Sequence, residues 1–303
     1  MDTPVERAFR AMGCATHVVV HGGDEHLLDV AEARVRELES WWSRFLEDSD
    51  ITRANRASGT PVEVHPDTLA VVSRGLDAWR QTDGRFDMTV LPALLEAGYT
   101  HSTVNHVAAP LLPASRLGMS TWVRVDYDRS TLTVPANSAI DLGGIGKGFA
   151  ADIVAEDLLE AGATGALVNI GGDLRVAGTP SDDTSWYLGI EDPADTSRHV
   201  AVLRVQDGGM ATSGTTVRTW TGPDGSRRHH LIDPRTGRPS AQALLTATVL
   251  AADAATAESY ATAAMMLPPD AAVAMLERVG LAGLIVDRDH LVHRTTTMKA
   301  FET

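Results

Sequence analysis

The segment from Asp141 to Asp152, which reads DLGGIGKGFAAD, constrains this chain more than any other. It places four glycines and Lys147 just before a predicted helix that runs from about Phe149 to Leu159, and strand-like residues precede it from Thr131 to Ile140. Glycine leaves backbone N–H groups unobstructed, and a helix N-terminus carries partial positive charge. A junction of this kind suits a phosphate or a pyrophosphate.

Two better-known nucleotide motifs do not fit this segment. A P-loop places Ser or Thr directly after its lysine, whereas Lys147 is followed by Gly148. The dinucleotide-binding fingerprint has its third glycine where this chain has Phe149. A tight turn from strand to helix, without any ligand, is therefore the alternative interpretation of the segment.

Composition restricts the classes of function. The 303 residues carry a formal net charge of −14, whereas a nucleic-acid-binding protein would show a basic stripe. Cys14 is the single cysteine, which excludes an internal disulfide and a cysteine-rich metal site. The sequence has neither an apolar run of about 18 residues nor the apolar core of a signal peptide. We therefore expect no nucleic-acid partner, no transmembrane segment and a cytoplasmic location.

Helices and hairpins both occur along the chain without regular alternation, which favours an α+β fold over a doubly wound parallel sheet. The pattern predicts a first strand over Ala15–His21 and a helix from Asp24 to about Phe45. It also predicts helices over Pro66–Gln81 and Asp253–Leu267. In the first helix, apolar residues recur every three or four positions and predict a buried stripe formed by Leu28, Ala31, Val35, Leu38 and Trp42.

Two clusters combine a turn or strand with polar side chains. The glycine pair that ends in Asp173 follows an apolar strand and reads either as a β-turn or as part of a site. His230 precedes Leu231-Ile232-Asp233, whose alternation predicts His230 and Ile232 on one side of a strand. A histidine in this position suits a general base near neutral pH, and a hydrogen-bonded structural histidine is the alternative.

Two further clusters contain carboxylates. Phe86 and Asp87 offer a stacking ring and an acceptor for a ring N–H, with core packing and helix capping as the alternatives. Glu258 and Thr262 are four residues apart on a predicted helix and therefore share a face. A carboxylate and a hydroxyl at this spacing suit a hard cation such as Mg²⁺, and a solvated helix face is the alternative.

Taken in chain order, these segments resemble the ApbE family, the FAD:protein FMN transferases. The most specific parts are the glycine-lysine segment and His230 to Gly237, which reads HLIDPRTG. The remaining matches are Met12-Gly13, Ser43–Asn55, Thr82–Val90, Ala166–Asp173, Ser213-Gly214, the extension of the second segment to Pro239, and Ala257–Ala264. The resemblance implies mixed and antiparallel sheets flanked by helices, with the active site in a cleft between two halves. We expect residues 1–303 to form one such unit, with a division into two closely packed α/β subdomains left open.

The resemblance also implies a reaction. FAD binds with Mg²⁺ at its pyrophosphate, FMN passes to a Thr or Ser hydroxyl of an acceptor protein, and AMP leaves. FAD and the acceptor protein are the expected partners. Some members of the family hydrolyse FAD to FMN and AMP instead, and a flavin-binding protein with little turnover is a third possibility.

The site residues that the resemblance implies fall into three groups. The metal ligands are the carbonyl of Gly144 and the side chains of Glu258 and Thr262. His230 is the base for the acceptor hydroxyl, and Lys147 is counted with it as catalytic. The expected FAD contacts are Met12, Phe45, Arg85, Phe86, Asp87, Asp141, Lys147 and Ser240.

Three residues depart from the family's usual pattern. Glu258 stands where the family has Asp, and its side chain is one methylene longer, which bears on the metal geometry. Cys14 replaces a small hydroxyl residue after Met-Gly. Phe45 replaces a Tyr and can stack on a ring but cannot donate a hydrogen bond. We expect the last two changes to affect the affinity for FAD.

Overall fold

A computed structural model of the chain describes residues 3–101, 117–180, 185–222 and 225–303. The helices within these ranges are α1 Glu25–Trp42, α2 Asp50–Arg56, α3 Pro66–Gln81, α4 Leu91–Glu96, α5 Gly146–Glu160, α6 Ala254–Ala264 and α7 Pro269–Arg278. The strands are β1 Val5–Ala11, β2 Cys14–His21, β3 Val62–Glu63, β4 Arg124–Asp126, β5 Thr131–Thr133, β6 Gly165–Ile170, β7 Asp173–Gly178, β8 Trp186–Asp192, β9 Asp195–Val205, β10 Gly208–Gly214, β11 Thr219–Thr221, β12 Arg227–His229, β13 Ile232–Asp233, β14 Arg238–Pro239, β15 Leu244–Ala251, β16 Ala282–Asp287 and β17 Val292–Arg294. None of the helices in the described ranges has the length and apolar character needed to cross a membrane.

The chain divides into two compact units. The first unit comprises Met1–Arg36, Lys147–Gly214 and Gln242–Thr303, and the second comprises Glu37–Gly146 and Thr215–Ala241. The chain passes from the second unit to the first inside the glycine-lysine segment, between Gly146 and Lys147.

The first unit is built on an eight-stranded sheet in the order β1-β2-β6-β7-β10-β15-β16-β17. Every pair of neighbours in this sheet is antiparallel. Helix α6 packs against β10 and β15, while β8 and β9 form a separate hairpin. Strands β7, β8, β9, β10 and β16 contribute to one hydrophobic core that includes Val176, Leu188 and Leu284.

The second unit contains a three-stranded sheet in the order β3-β5-β4 and two short hairpins, β11-β12 and β13-β14. Helices α2, α3 and α4 lie in this unit, together with the end of α1. A small core there joins Leu91 and Leu94 of α4 to Ala139 and Ile232. Both units therefore combine helices with antiparallel strands, which confirms the α+β prediction.

Several predicted elements match the structure closely. Helix α3 has the predicted bounds, and the predicted stripe of α1 is buried along its whole length. The predicted strand toward Ile140 is wrong, because β5 ends at Thr133. The side-chain amide of Asn55 instead pairs with the backbone N–H and carbonyl of Ile140, at 2.8 and 2.9 Å, and thereby replaces a neighbouring strand.

Candidate active site

Lys147 is the centre of a buried charge cluster in the first unit. It lies in the first turn of α5, which begins at Gly146 rather than at the predicted Phe149. Its ammonium donates to the carboxylate of Asp173 at the start of β7 and to that of Glu258 on α6. The three side chains are 12%, 4% and 2% exposed, respectively. Buried charges are tolerated when they are paired, and here two carboxylates share one ammonium.

Glu258 is held on both sides of its carboxyl group. Its Oε1 receives the Lys147 ammonium, and its Oε2 accepts a hydrogen bond of 2.8 Å from the backbone N–H of Gly148. The pKa of Glu258 is raised to about 8, chiefly because the carboxyl group is buried; the ammonium of Lys147 opposes this shift and the negative charge of Asp173 adds to it. Keeping Glu258 ionised in the folded protein therefore lowers the free energy of unfolding.

Close backbone packing brings α5 and α6 together. A Cβ added at Gly148 would lie against the carbonyl of Ala254, closer than real side chains allow. None of the four glycines of the glycine-lysine segment has a positive φ, so the requirement for glycine at Gly148 is close approach rather than backbone freedom. This packing lets the Gly148 N–H reach Glu258.

Asp152 fixes the first turn of α6 from the neighbouring helix. Its carboxylate accepts hydrogen bonds from the backbone N–H groups of Ala254 and Ala255, at 2.8 and 3.0 Å, and Arg175 lies 3.5 Å away. Burial raises the pKa of Asp152 to about 7, although these two hydrogen bonds lower it. Asp152 thus sets the position of the helix that carries Glu258.

The donor atoms near Glu258 fit a hard cation. Thr262 lies one turn further along α6, and its hydroxyl is 3.3 Å from that of Ser213 on β10. Oxygen donors of this kind suit Mg²⁺, and the cluster of Lys147, Asp173 and Glu258 keeps an excess negative charge when all three are ionised. In the described ranges, no group of three His, Cys, Asp or Glu side chains forms a metal site by itself. A cation held here would therefore need waters or other oxygen ligands to complete its coordination, as is usual for Mg²⁺.

Met12 occupies an uncommon backbone conformation in the first unit. Ala11 pairs with Cys14 across β1 and β2, so Met12 and Gly13 form a two-residue hairpin turn. Their φ values are 49° and 71°, which is the pattern of a type I′ turn. A positive φ is rare for a residue with a long side chain, and such outliers often mark functional positions.

Asp141 is anchored in the second unit. Its Oδ1 accepts the Gly143 N–H at 2.5 Å, and its Oδ2 pairs with the Nε of Arg44 at 2.6 Å. The guanidinium of Arg44 lies over the ring of Phe45, 4.1 Å from its centroid. The structure therefore brings two predicted FAD contacts, Asp141 and Phe45, to the same arginine. Gly144 follows in the turn that precedes α5.

Arg85, Phe86 and Asp87 have local structural roles. Phe86 is buried, and its N–H donates to Thr82 Oγ1 at 3.1 Å, while Arg85 Nη1 donates to the Thr82 carbonyl, also at 3.1 Å. The Oδ1 of Asp87 accepts the backbone N–H of Thr89 at 2.7 Å and caps the short helical turn that follows. These contacts match the alternatives of packing and capping, and the FAD contacts stay predictions.

His230 lies in a bend, not in a strand. Strand β12 ends at His229, and β13 begins at Ile232. The predicted strand alternation from His230 is therefore wrong, since only Ile232 and Asp233 belong to a strand; Leu231, Ile232 and Asp233 are all buried. His229 interrupts the strand, because its Nδ1 accepts the N–H of Leu231 at 3.3 Å and its Nε2 lies 3.1 Å from the carbonyl of Ser240.

Ser240 closes the same loop. Its backbone N–H donates to the carbonyl of Leu231 at 2.8 Å, and its side chain is buried. His230 is half-buried next to this hydrogen bond. The hydrogen bonds of His229 and of the Ser240 backbone therefore fix the chain on both sides of His230.

Two residues of these clusters were not among the predicted site residues. Asp173 ends the glycine turn whose role the sequence left open between a β-turn and a site, and its signal was a carboxylate directly after Gly171 and Gly172. Both glycines have a positive φ in the structure. Arg44 belongs to no sequence motif that indicates burial. Its burial depends on two residues distant in the chain, Asp141 and Tyr99, and the carbonyl of Tyr99 accepts a hydrogen bond from Arg44 Nη2 at 3.1 Å.

Comparisons with known proteins agree with this organisation. The sequence model of the ApbE family matches residues 12–285. A FAD:protein FMN transferase of Haemophilus influenzae is 28% identical over 311 residues, which cover 97% of this chain and 89% of that protein. One from Vibrio cholerae is 30% identical over 80% of this chain and 74% of its own length.

Solved structures give the same result. The ApbE protein of Thermotoga maritima matches with a TM-score of 0.87 at 26% identity, covering 99% of this chain and 100% of the other. The flavin transferase ApbE from Vibrio cholerae matches with a TM-score of 0.81 at 26% identity, covering 99% of both chains.

Proposed function

Because the chain belongs to the ApbE family, we propose that it transfers FMN from FAD to a Thr or Ser hydroxyl of an acceptor protein and releases AMP. The observation that carries the proposal is the buried cluster of Lys147, Asp173 and Glu258 at the start of α5. A solvated helix face would leave Glu258 exposed, whereas it is buried together with a second carboxylate.

The proposed reaction forms one bond and breaks one. The acceptor hydroxyl oxygen attacks the phosphorus of the FMN half of FAD, and the P–O bond to the bridging oxygen breaks. AMP leaves with that oxygen, and the hydroxyl proton passes to a base. His230 is the proposed base, because a half-buried imidazole can change its charge near neutral pH.

Lys147 brings a full positive charge to the start of α5, where the helix N-terminus adds a partial one. Asp173 and Glu258 hold the ammonium in a fixed position. A pyrophosphate at this helix start would be attracted by both charges once a bound cation offsets the excess negative charge of Asp173 and Glu258. Lys147 would therefore orient FAD as well as attract it.

The cation would be held by oxygen atoms. Glu258 and Thr262 supply two of them, and we assign the third to the Gly144 carbonyl on the basis of the family resemblance alone. Bound Mg²⁺ would supply positive charge that offsets the negative charge of the pyrophosphate oxygens. Each carboxylate oxygen of Glu258 already accepts one hydrogen bond, from Lys147 or from Gly148. We therefore propose that Glu258 binds the cation with its remaining lone pairs or through a water.

The test is incubation of the protein with FAD, MgCl₂ and an acceptor domain that carries one threonine in its flavinylation segment. We expect the acceptor to gain the mass of FMN, with AMP appearing in an equal amount. The matched control is the same acceptor with that threonine changed to alanine.

Two other results would identify a different function. Free FMN and AMP with an unmodified acceptor would identify a FAD hydrolase, with water in place of the hydroxyl. Bound but intact FAD would identify a flavin-binding protein. Either outcome contradicts the proposed transfer, provided that the acceptor is modified by an established FMN transferase in parallel.

A further inference from the structure

Arg44 is a buried cation beside a predicted FAD contact in the second unit. Its side chain is only 6% exposed. The guanidinium lies over two rings, 4.1 Å from the centroid of Phe45 and 4.9 Å from that of Tyr99. The two rings are nearly perpendicular to each other, at 80°, and hold the buried guanidinium from two directions, so its N–H groups point in fixed directions.

The guanidinium is only partly satisfied. Nε pairs with Asp141 Oδ2 at 2.6 Å, and Nη2 donates to the carbonyl of Tyr99 at 3.1 Å. Nη1 is buried and has no hydrogen-bond acceptor among the residues that the structure describes. A buried donor without an acceptor has lost its hydrogen bonds to water without replacement, and a ligand that supplies an acceptor atom removes that penalty.

Asp141, the partner of Arg44 Nε, is also held rigidly by the backbone around it. Its backbone N–H donates to the carbonyl of Met88 at 2.9 Å, and Asn55 holds the preceding residue. Its carboxylate is fixed by Arg44 and by Gly143, yet the side chain remains 15% exposed and its oxygens keep unused lone pairs. The protein thus presents a rigid carboxylate with a spare donor on the arginine attached to it.

We propose that Arg44 determines specificity for FAD: it positions Asp141 to accept an N–H from a planar heterocycle and donates Nη1 to the acceptor atom next to that N–H. This inference rests on the proposed function. Both heterocycles of FAD have such an edge, since the flavin pyrimidine ring has an imide N–H beside carbonyl oxygens and adenine has an amino group beside a ring nitrogen. The two halves of FAD, FMN and AMP, distinguish these sources.

The experiment measures the dissociation constants of FAD, FMN and AMP separately for the parent, Arg44→Met and Arg44→Lys. Methionine keeps much of the apolar stem, and lysine keeps the charge but loses the planar fork. We expect FAD affinity to fall about tenfold or more in both variants, which corresponds to the loss of one or two hydrogen bonds. Only one of the two halves should lose affinity, FMN if the flavin ring is read and AMP if adenine is read.

The matched control is Arg53→Met. Arg53 also pairs with a buried aspartate of the second unit, Asp50, at 2.5 Å, and its other hydrogen bond goes to the carbonyl of Glu63, which is not a predicted FAD contact. We expect this variant to lose stability in urea while its FAD affinity equals that of the parent. Unchanged affinity for all three ligands in Arg44→Lys would overturn the proposal, because Arg44 would then be a structural ion pair like Arg53.

The test does not depend on the folding of one variant. If Arg44→Met fails to fold, the parent is compared with Arg44→Lys alone, and the urea midpoint of that variant shows that the folded protein is being titrated. A parent that binds none of the three ligands would overturn this proposal together with the proposed function. A parent that binds FAD and flavinylates the acceptor, with variants that bind equally well, would overturn this proposal alone.

Discussion

Lys147 places its ammonium against the buried carboxylate of Glu258, although the two residues are 111 positions apart in the chain. The contact joins the first turn of α5 to the middle of α6. It links two residues of the proposed mechanism, a lysine for phosphate and a carboxylate for a cation. A change at either residue therefore alters the electrostatics of the other, and each variant must be measured for stability as well as for activity.

Lys147→Met should destabilise the protein. The change leaves Asp173 and Glu258 buried without their shared cation, and breaking a buried pair typically costs about 3–5 kcal/mol. Adding Glu258→Gln to this variant removes one of the uncompensated charges and should restore part of the loss. Urea unfolding of the parent, both single variants and the double variant measures the coupling. Additive effects would show that the contact carries no energy.

FAD affinity distinguishes the proposed attraction of the pyrophosphate by Lys147 from the structural role of this lysine. If its ammonium also attracts the pyrophosphate, the folded Lys147→Met variant should bind FAD more weakly than the parent. Arg34→Met is the control, because Arg34 pairs with Asp157 at the other end of α5 and is remote in sequence from the glycine-lysine segment. Overlapping FAD titration curves for parent and Lys147→Met would restrict the lysine to a structural role.

Gly148→Ala should displace α6. The added methyl group would overlap the carbonyl of Ala254, and overpacking of this kind costs about 1–3 kcal/mol, more than the gain of about 1 kcal/mol from helix propensity. Gly146→Ala is the matched control in the same helix, since its Cβ would make a tight contact of 3.3 Å with Leu142 Cβ instead of overlapping a backbone carbonyl. We expect thermal unfolding to show a larger loss for Gly148→Ala than for Gly146→Ala. An equal response of the two variants would contradict the packing argument.

The ionisation of Asp152 should make stability depend on pH. Its pKa is about 7 in the folded protein against an ordinary value of 3.8, so the folded state holds the proton more tightly. Between these two values the unfolded chain has released the proton and the folded state has not, and the free energy of unfolding therefore falls as the pH rises through this window. The contribution is at most about 4 kcal/mol, from about 1.4 kcal/mol for each pH unit.

Asp152→Asn tests this assignment. The variant should lose part of the decline in stability between about pH 4 and about pH 7, whatever its absolute stability, because asparagine does not titrate. Asp77→Asn is the control, since Asp77 is an exposed partner of Arg80. An unchanged slope of unfolding free energy against pH in Asp152→Asn would show that another group is responsible.

His230→Asn should abolish transfer and preserve FAD binding. Removal of a general base typically lowers the rate by about 10²–10⁴-fold. His229→Asn is the matched control, because His229 is pinned by Leu231 and Ser240 and should affect stability first. AMP release and flavin fluorescence measure the two properties. AMP release at the parent rate in His230→Asn would make that histidine structural.

The fold was predictable where local pattern decides it. The bounds of α3 and the buried stripe of α1 follow from apolar spacing alone. Strand β1 was missed, because its charged residues Glu6, Arg7 and Arg10 obscure the apolar alternation of an edge strand. Helix α2 was missed as well, since its polar sequence depends on the cap from Ser49 and on tertiary packing.

The site was predictable only in part. Lys147 and Glu258 were predicted separately, from a glycine segment and from the spacing of Glu258 and Thr262 on a helix, and neither pattern indicates that they touch. Arg44 and Asp173 join the clusters through contacts between distant segments of the chain, which a local pattern does not contain. The strand predicted toward Ile140 failed for the same reason, because one side chain, Asn55, satisfies that backbone.

The dependence of AMP release on Mg²⁺ concentration tests the central claim most directly, with parent, Glu258→Asp and Glu258→Gln compared in the presence of FAD and the acceptor. We expect the parent to be inactive in excess EDTA, Glu258→Asp to reach half-maximal activity at lower Mg²⁺, and Glu258→Gln to lose metal-dependent turnover. Full activity of the parent in EDTA, or parent-like Mg²⁺ dependence in Glu258→Gln, would contradict a catalytic cation at the buried Glu258 carboxylate.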